Sequence, residues 1–160
     1  MATDSVISTF TVLGRTSASD SGALRPWIAR LLHGKLETRA EIALSAAKTV
    51  GQRTAFSSIG DVLCDELNKD GNVAIALALD CAGIPNETVS LRRVAEWRSK
   101  VLRESYPEPS DDNERAARAY LARQHGVDLS ALGRHAEALT ATREAVESYR
   151  KLAASNPNVF

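Results

Sequence analysis

The stretch LSALGRHAEALTATREAVESYRKLAASNP, from Leu129 to Pro157, contains the clearest structural signal in this chain. Gly133 separates two segments with the apolar spacing of helices, which predict one helix from Glu114 to Leu132 and another from His135 to Ala153. Glycine readily adopts the left-handed backbone conformation that often ends a helix. Because the turn between the two helices is so short, the sequence predicts that they pack antiparallel, as a helical hairpin.

Residues on this hairpin, most of them small or apolar, recur at the spacing of a known repeat. The positions are Ala122, His125, Gly126, Leu129, Gly133, Ala138, Thr142 and Ala145. Residues 114–157 therefore resemble the tetratricopeptide repeat (TPR) family, in the variety with a long second helix that occurs in kinesin light chain. His125 and Thr142 depart from the pattern, which expects a large aliphatic residue and an aromatic residue at these positions. The resemblance implies that Gly126 and Ala138 are small because the two helices cross closely there, and that Ala145 admits the next helix. It also assigns Leu129 and Gly133 to the packing of the repeat.

The rest of the chain also has mostly helical patterns. Further helices are predicted to start near Pro26, Glu37, Thr54, Val73 and Asn86. The alanine-rich helix at Val73 carries so little polar surface that we expect it to be buried on most sides. Residues 56–85 match the repeat spacing more weakly, and residues 23–51 are only repeat-like. The predicted fold is therefore all-α, with antiparallel hairpins stacked as a short TPR-like α-solenoid; a compact helical bundle is the alternative.

Composition suggests four segments along the chain. Residues 1–22, rich in Ser, Thr, Gly and Asp, are predicted to be a mobile N-terminal tail. Residues 23–105 form the helical region with degenerate repeat-like hairpins. Residues 106–113 combine two prolines with three acids and no base, which is typical of a linker. Residues 114–160 form the TPR-like hairpin.

Charge and cysteine content limit the possible partners and compartments. Lys and Arg total 20, as do Asp and Glu, so no summed field attracts nucleic acid or an anionic membrane. No window approaches the roughly 18 apolar residues of a membrane span, and the N-terminus lacks a secretory signal pattern. Cys64 and Cys81 are expected to be buried thiols in a reducing compartment. The sequence therefore predicts a cytoplasmic protein that binds neither nucleic acid nor membranes.

Sequence patterns for catalysis and for ligand binding are missing. His33, His125 and His135 are far apart in the sequence and none has the ligand spacing of a metal motif. The chain has no nucleophile elbow and no glycine-rich phosphate loop. We therefore predict no enzyme activity, no cofactor and no metal site, and we expect His125 to be a hydrogen-bonded imidazole facing the partner helix.

The predicted function is protein–protein interaction, as a TPR-like scaffold or adaptor. The concave face of such a module is formed by the first helix of each hairpin, so a peptide or helix of a partner is expected to bind on residues 114–132. The outward positions there are Tyr120, Arg123, Gln124 and Val127. The alternative is a small helical enzyme or ligand-binding bundle with a polar pocket near His125.

The last predicted helix carries an apolar stripe. Its members are Leu139, Val146, Tyr149 and Leu152. An uncapped repeat leaves such a stripe partly in water, so we expect it to be covered by further repeats of a longer protein or by a second copy in a homodimer.

Overall fold

The computed structural model describes residues 3–17, 23–51, 58–85 and 88–155. Every regular element in these ranges is helical, which confirms the all-α class. The α-helices are α1 (Thr3–Ser17), α2 (Arg25–Leu32), α3 (Leu36–Gly51), α4 (Ser58–Asp70), α5 (Val73–Ala82), α6 (Arg92–Ser105), α7 (Asp112–Ala131) and α8 (His135–Ser155), and a 3₁₀ turn spans Val89–Leu91. The predicted helix starts at Thr54 and Asn86 lie outside the described residues. Among the described helices, none is both long enough and apolar enough to cross a membrane.

The chain divides into two compact units, residues 1–98 (unit 1) and residues 99–160 (unit 2). The division falls within α6, upstream of the acidic segment 106–113 that the sequence marks as a linker. The reason is that α6 side chains before the division contact residues of unit 1, whereas those after it contact residues of unit 2. The Trp97 ring lies against Gly71 in unit 1, whereas Ser99 contacts His125 and Arg103 pairs with Glu144 in unit 2.

The N-terminal segment differs from the prediction of a mobile tail, because the structure places α1 there. Val6 and Phe10, four residues apart, are both buried, and α1 packs against α3. Threonine hydroxyls on α1 donate hydrogen bonds to carbonyl oxygens one turn earlier, as Thr9 does to Ser5. Packing of an apolar stripe thus outweighs a composition that disfavours helix.

Helix α3 packs against helices of unit 1 that do not adjoin it in the sequence. It packs against α1, α4 and α5, and α2 packs mainly against α4. The buried positions of α3 are mostly alanine, which lets neighbouring helices approach its backbone closely. They are Leu36, Ala40, Ala43, Leu44, Ala46, Ala47 and Val50.

Helix α5 buries one face only, so the expectation that it is buried on most sides is wrong. Ile75, Ala76 and Leu79 are buried, whereas Val73 and Leu77 are exposed. The physical reason is position: α5 packs against α3 with this face, and its other side meets solvent. The same arrangement leaves Cys81 exposed, contrary to prediction, whereas Cys64 on α4 is buried as predicted. Burial raises the pKa of the Cys64 thiol, which makes it a poor nucleophile.

Candidate interaction surface on the C-terminal hairpin

Reciprocal hydrogen bonds fix the start of α7. The Asp111 carboxylate accepts from the backbone N–H of Glu114 at 2.8 Å. The Glu114 carboxylate in turn accepts from the backbone N–H of Ser110 at 2.7 Å and from its hydroxyl at 2.8 Å. These bonds from Ser110 lower the pKa of Glu114 below its ordinary value. The pattern is a capping box shifted by one residue, and it satisfies backbone donors that a helix start leaves unpaired.

The turn between α7 and α8 has the hydrogen bonds of a Schellman motif. Gly133 has a φ of 76°, which is the left-handed region that favours glycine. Its N–H donates to the Ser130 carbonyl, and the N–H of Arg134 donates to the Leu129 carbonyl, both at 3.0 Å. The Arg134 guanidinium also pairs with Glu137 in the first turn of α8. Hydrogen bonds and an ion pair between residues close in the sequence therefore set the antiparallel direction of α8.

The two helices cross closely at Gly126. A Cβ atom on Gly126 would lie 2.6 Å from the Thr142 hydroxyl oxygen and 3.2 Å from the Ala138 carbonyl oxygen. Leu129, Ala138 and Ala141 form a buried cluster, and Ala145 is buried one turn farther along α8. Gly126, Leu129 and Ala138 thus lie where α7 meets α8. Gly133 lies in the turn between the two helices, and the role of Ala145 in admitting a further helix stays a prediction.

The buried polar residues on the inner side of α7 lie close to other polar side chains. His125 is buried, and its Nδ1 lies 3.2 Å from the Ser99 hydroxyl oxygen. Asp128 is also buried and accepts a hydrogen bond from the Gln124 side-chain amide at 3.3 Å. A cavity of about 220 Å³ beside His125 is lined by Arg103, Leu129, Glu137, Thr140 and Ala141.

The outward face of α7 carries the residues that the sequence proposed for partner binding. Tyr120 is 53% exposed and Val127 is 44% exposed, and Arg123 between them is exposed too. These three residues, which we call the α7 stripe, are three and four positions apart and so share one face. Gln124 is half-buried, and its bond to Asp128 places it at the edge of this face.

The apolar stripe predicted on α8 is only half exposed. Leu139 is 50% exposed and Val146 is 42% exposed. Tyr149 is half-buried, and Leu152 is buried. The large apolar side chains exposed on α8 are therefore Leu139 and Val146, one heptad apart.

Comparison with known protein families, curated proteins and solved structures finds no match to this chain. The TPR resemblance therefore rests on the residues of the hairpin themselves, and the function has to be argued from geometry.

Sequence reasoning treated the three histidines separately and missed the neighbours of one of them. In unit 1, His33 lies beside Glu66 and Asp70, and one potential ligand atom from each falls within 4.8 Å of the other two. The spacing of Glu66 and Asp70, one helical turn apart, was the available signal. The third member comes from a different helix and is not visible in sequence periodicity.

Proposed function

We propose that the α7–α8 hairpin is a TPR-like protein-interaction module that binds a peptide or helix of another protein through the α7 stripe. The observation that carries the proposal is the exposure of Tyr120 and Val127 on a helix that buries Ala119, Ala122 and Leu129 on its inner side. Tyrosine and arginine are the residue types that most often dominate binding energy at protein interfaces. A row of side chains at positions i, i+3 and i+7 on a rigid helix suits a helical or extended partner segment.

For the fold, we propose one TPR-like hairpin joined to a helical bundle rather than a uniform solenoid. The contacts of α3 with α1, α4 and α5 support the bundle alternative for unit 1, since in a solenoid each repeat contacts mainly its immediate neighbours. The two free cysteines support a reducing, cytoplasmic setting. The proposal assigns no catalytic activity to the chain.

The test compares the full chain with two double variants in quantitative pull-downs from an extract of the native cells. Tyr120→Ala with Arg123→Ala removes two members of the α7 stripe. Arg143→Ala with Arg150→Ala is the matched control, because both residues are exposed on α8 and lie outside the surface formed by Leu139 and Val146. Circular dichroism verifies that each variant keeps its helix content.

We expect a set of proteins that the wild type and the control enrich and that the α7 variant loses. Such loss reflects removal of contact residues, since neither Tyr120 nor Arg123 is buried. Full retention of every enriched protein by the α7 variant would reject the α7 stripe as the binding surface.

The cavity beside His125 supports a second candidate, a small-molecule site. Three observations rank it below the interaction surface. Its volume of about 220 Å³ is below the approximately 300–1,000 Å³ of typical ligand pockets. The Arg103 guanidinium already pairs with Glu144 at 2.7 Å. A hydrogen bond from Arg134 lowers the pKa of Glu137, which makes this carboxyl a weaker general base at neutral pH.

A small-molecule library that leaves the ring resonances of His125 unchanged in NMR spectra would eliminate this candidate.

A further inference from the structure

His33, Glu66 and Asp70 meet where α2 ends against α4. His33 is the C-cap residue of α2, whereas Glu66 and Asp70 lie one turn apart near the end of α4. One nitrogen or carboxylate oxygen from each side chain lies within 4.8 Å of the other two. Because α2 packs against α4, the cluster is built on two helices of the same unit.

The Glu66 carboxylate is the unusual member of this cluster. Its side chain is only 4% exposed. Its Oε1 atom pairs with the Lys69 ammonium at 2.6 Å, but its Oε2 atom is buried with no hydrogen-bond partner. Burying a carboxylate oxygen without a partner costs free energy, so native structures rarely leave one unpaired.

The distance from Oε2 to His33 leaves room for a cation between the two side chains. The His33 Nδ1 atom lies 3.6 Å from Oε2, which is too long for a hydrogen bond. Ligand atoms on a tetrahedral zinc ion, at bonds of about 2.0–2.1 Å, are separated by about 3.3 Å. A cation between Nδ1 and Oε2 would therefore fit with only a small adjustment.

We propose that His33, Glu66 and Asp70 bind a divalent transition-metal cation, and that Zn²⁺ fits this set best. One imidazole nitrogen and two carboxylate oxygens are usual zinc ligands, and imidazole favours zinc over magnesium or calcium. The His33 side chain is 75% exposed, and Asp70 is exposed too, so both can rotate toward Glu66. Lys69 occupies the other oxygen of Glu66, and its own side chain is 62% exposed. This proposal differs from the sequence-based expectation that the chain binds no metal.

The surroundings provide room for a further ligand on the cation. His33 and Asp70 border a groove of about 660 Å³ that Thr38, Asn72 and Ile75 also line. Three protein ligands leave the fourth tetrahedral position of zinc available, as in zinc sites that bind water or a small molecule. Lys35 and Glu37 also line this groove. Their opposite charges cancel, so these two residues add no net charge near the cation.

The test is isothermal titration of the chelator-treated full chain with Zn²⁺ alone. We expect one Zn²⁺ to bind per chain. His33→Gln and Asp70→Asn should each weaken binding by about tenfold or more, since each removes a ligand. The controls are His135→Gln on α8 and Glu41→Gln on α3, which replace exposed residues of the same chemistry outside the cluster.

NMR spectra of the histidine ring nitrogens identify the ligand atom. Zn²⁺ should shift the Nδ1 resonance of His33 and leave those of His125 and His135 unchanged. Because His33 and Asp70 are exposed, their variants should stay folded, and the thermal midpoint without metal checks this.

Four results would overturn the assignment. They are no binding by the wild type, binding that either His33→Gln or Asp70→Asn leaves intact, equal weakening in the His135→Gln control, and tighter binding of Mg²⁺ than of Zn²⁺. The site lies in unit 1 and does not depend on the proposed function of the hairpin.

Discussion

Gly126 on α7 lies directly against Thr142 on α8, so close that a Cβ atom on Gly126 would sit 2.6 Å from the threonine hydroxyl oxygen. The same atom would lie 3.2 Å from the backbone carbonyl oxygen of Ala138. The threonine side chain can rotate away from such an overlap, whereas the carbonyl oxygen moves only with the helix. The two helices can therefore pack this closely only because residue 126 has no side chain.

The first prediction concerns this pair. Gly126→Ala should lower the free energy of unfolding by up to about 2 kcal/mol, because overpacking of about 1–3 kcal/mol exceeds the gain of about 1 kcal/mol in helix propensity. Adding Thr142→Ala should recover part of this loss by removing the overlapping hydroxyl. Urea denaturation of the single and double variants measures the coupling, and strictly additive effects would contradict the close contact.

The second prediction concerns the crossing from the side of α8. Ala138 is buried in the cluster with Leu129 and Ala141, so Ala138→Leu should destabilise the hairpin by about 1–3 kcal/mol. Ala136→Leu adds the same volume at an exposed position and should change stability by less than about 0.5 kcal/mol. Thermal melts compare the two, and equal stability of both variants would count against the repeat-like packing.

The third prediction concerns pH at the start of α7. Hydrogen bonds from Ser110 lower the pKa of Glu114 in the folded protein. A carboxyl group with a depressed folded-state pKa stabilises the fold above its unfolded pKa, and this contribution is lost as the pH falls through the folded pKa. Protection of the Ser110 and Glu114 amides, measured relative to the intrinsic exchange rate at each pH, should therefore decrease in that acidic range. Glu114→Gln should abolish this pH dependence, and its persistence in the variant would assign it to another group.

The fourth prediction concerns the exposed apolar surface of α8. Leu139 and Val146 share one face and are about half exposed, and we expect a second copy of the chain to cover them. Light scattering should then show a mass that rises with protein concentration. Leu139→Gln with Val146→Gln should return the chain to a monomer, whereas Tyr120→Ala with Arg123→Ala should not. A wild-type protein that stays monomeric to high micromolar concentration would reject this contact.

Local signals explain why the hairpin could be predicted from the sequence. The predicted helices, Glu114–Leu132 and His135–Ala153, differ from α7 and α8 by at most two residues at each end. The hydrogen bonds that end α7 at Gly133 involve residues within five positions of one another, so composition is enough to indicate them. The exposure of Tyr120, Arg123 and Val127 agrees with the same helical period, which groups these three residues along one face of α7.

Contacts between residues far apart in the sequence were decided only by the tertiary structure. The residues of α1 have a composition typical of a tail, and packing against α3 keeps them helical. His33 is more than thirty positions from Glu66, and the docking of α2 on α4 brings the two together. Periodicity determines which face of a helix is apolar, because it depends on neighbours one turn away. It does not determine which two faces meet, because that choice depends on the combined packing of all the helices in the unit.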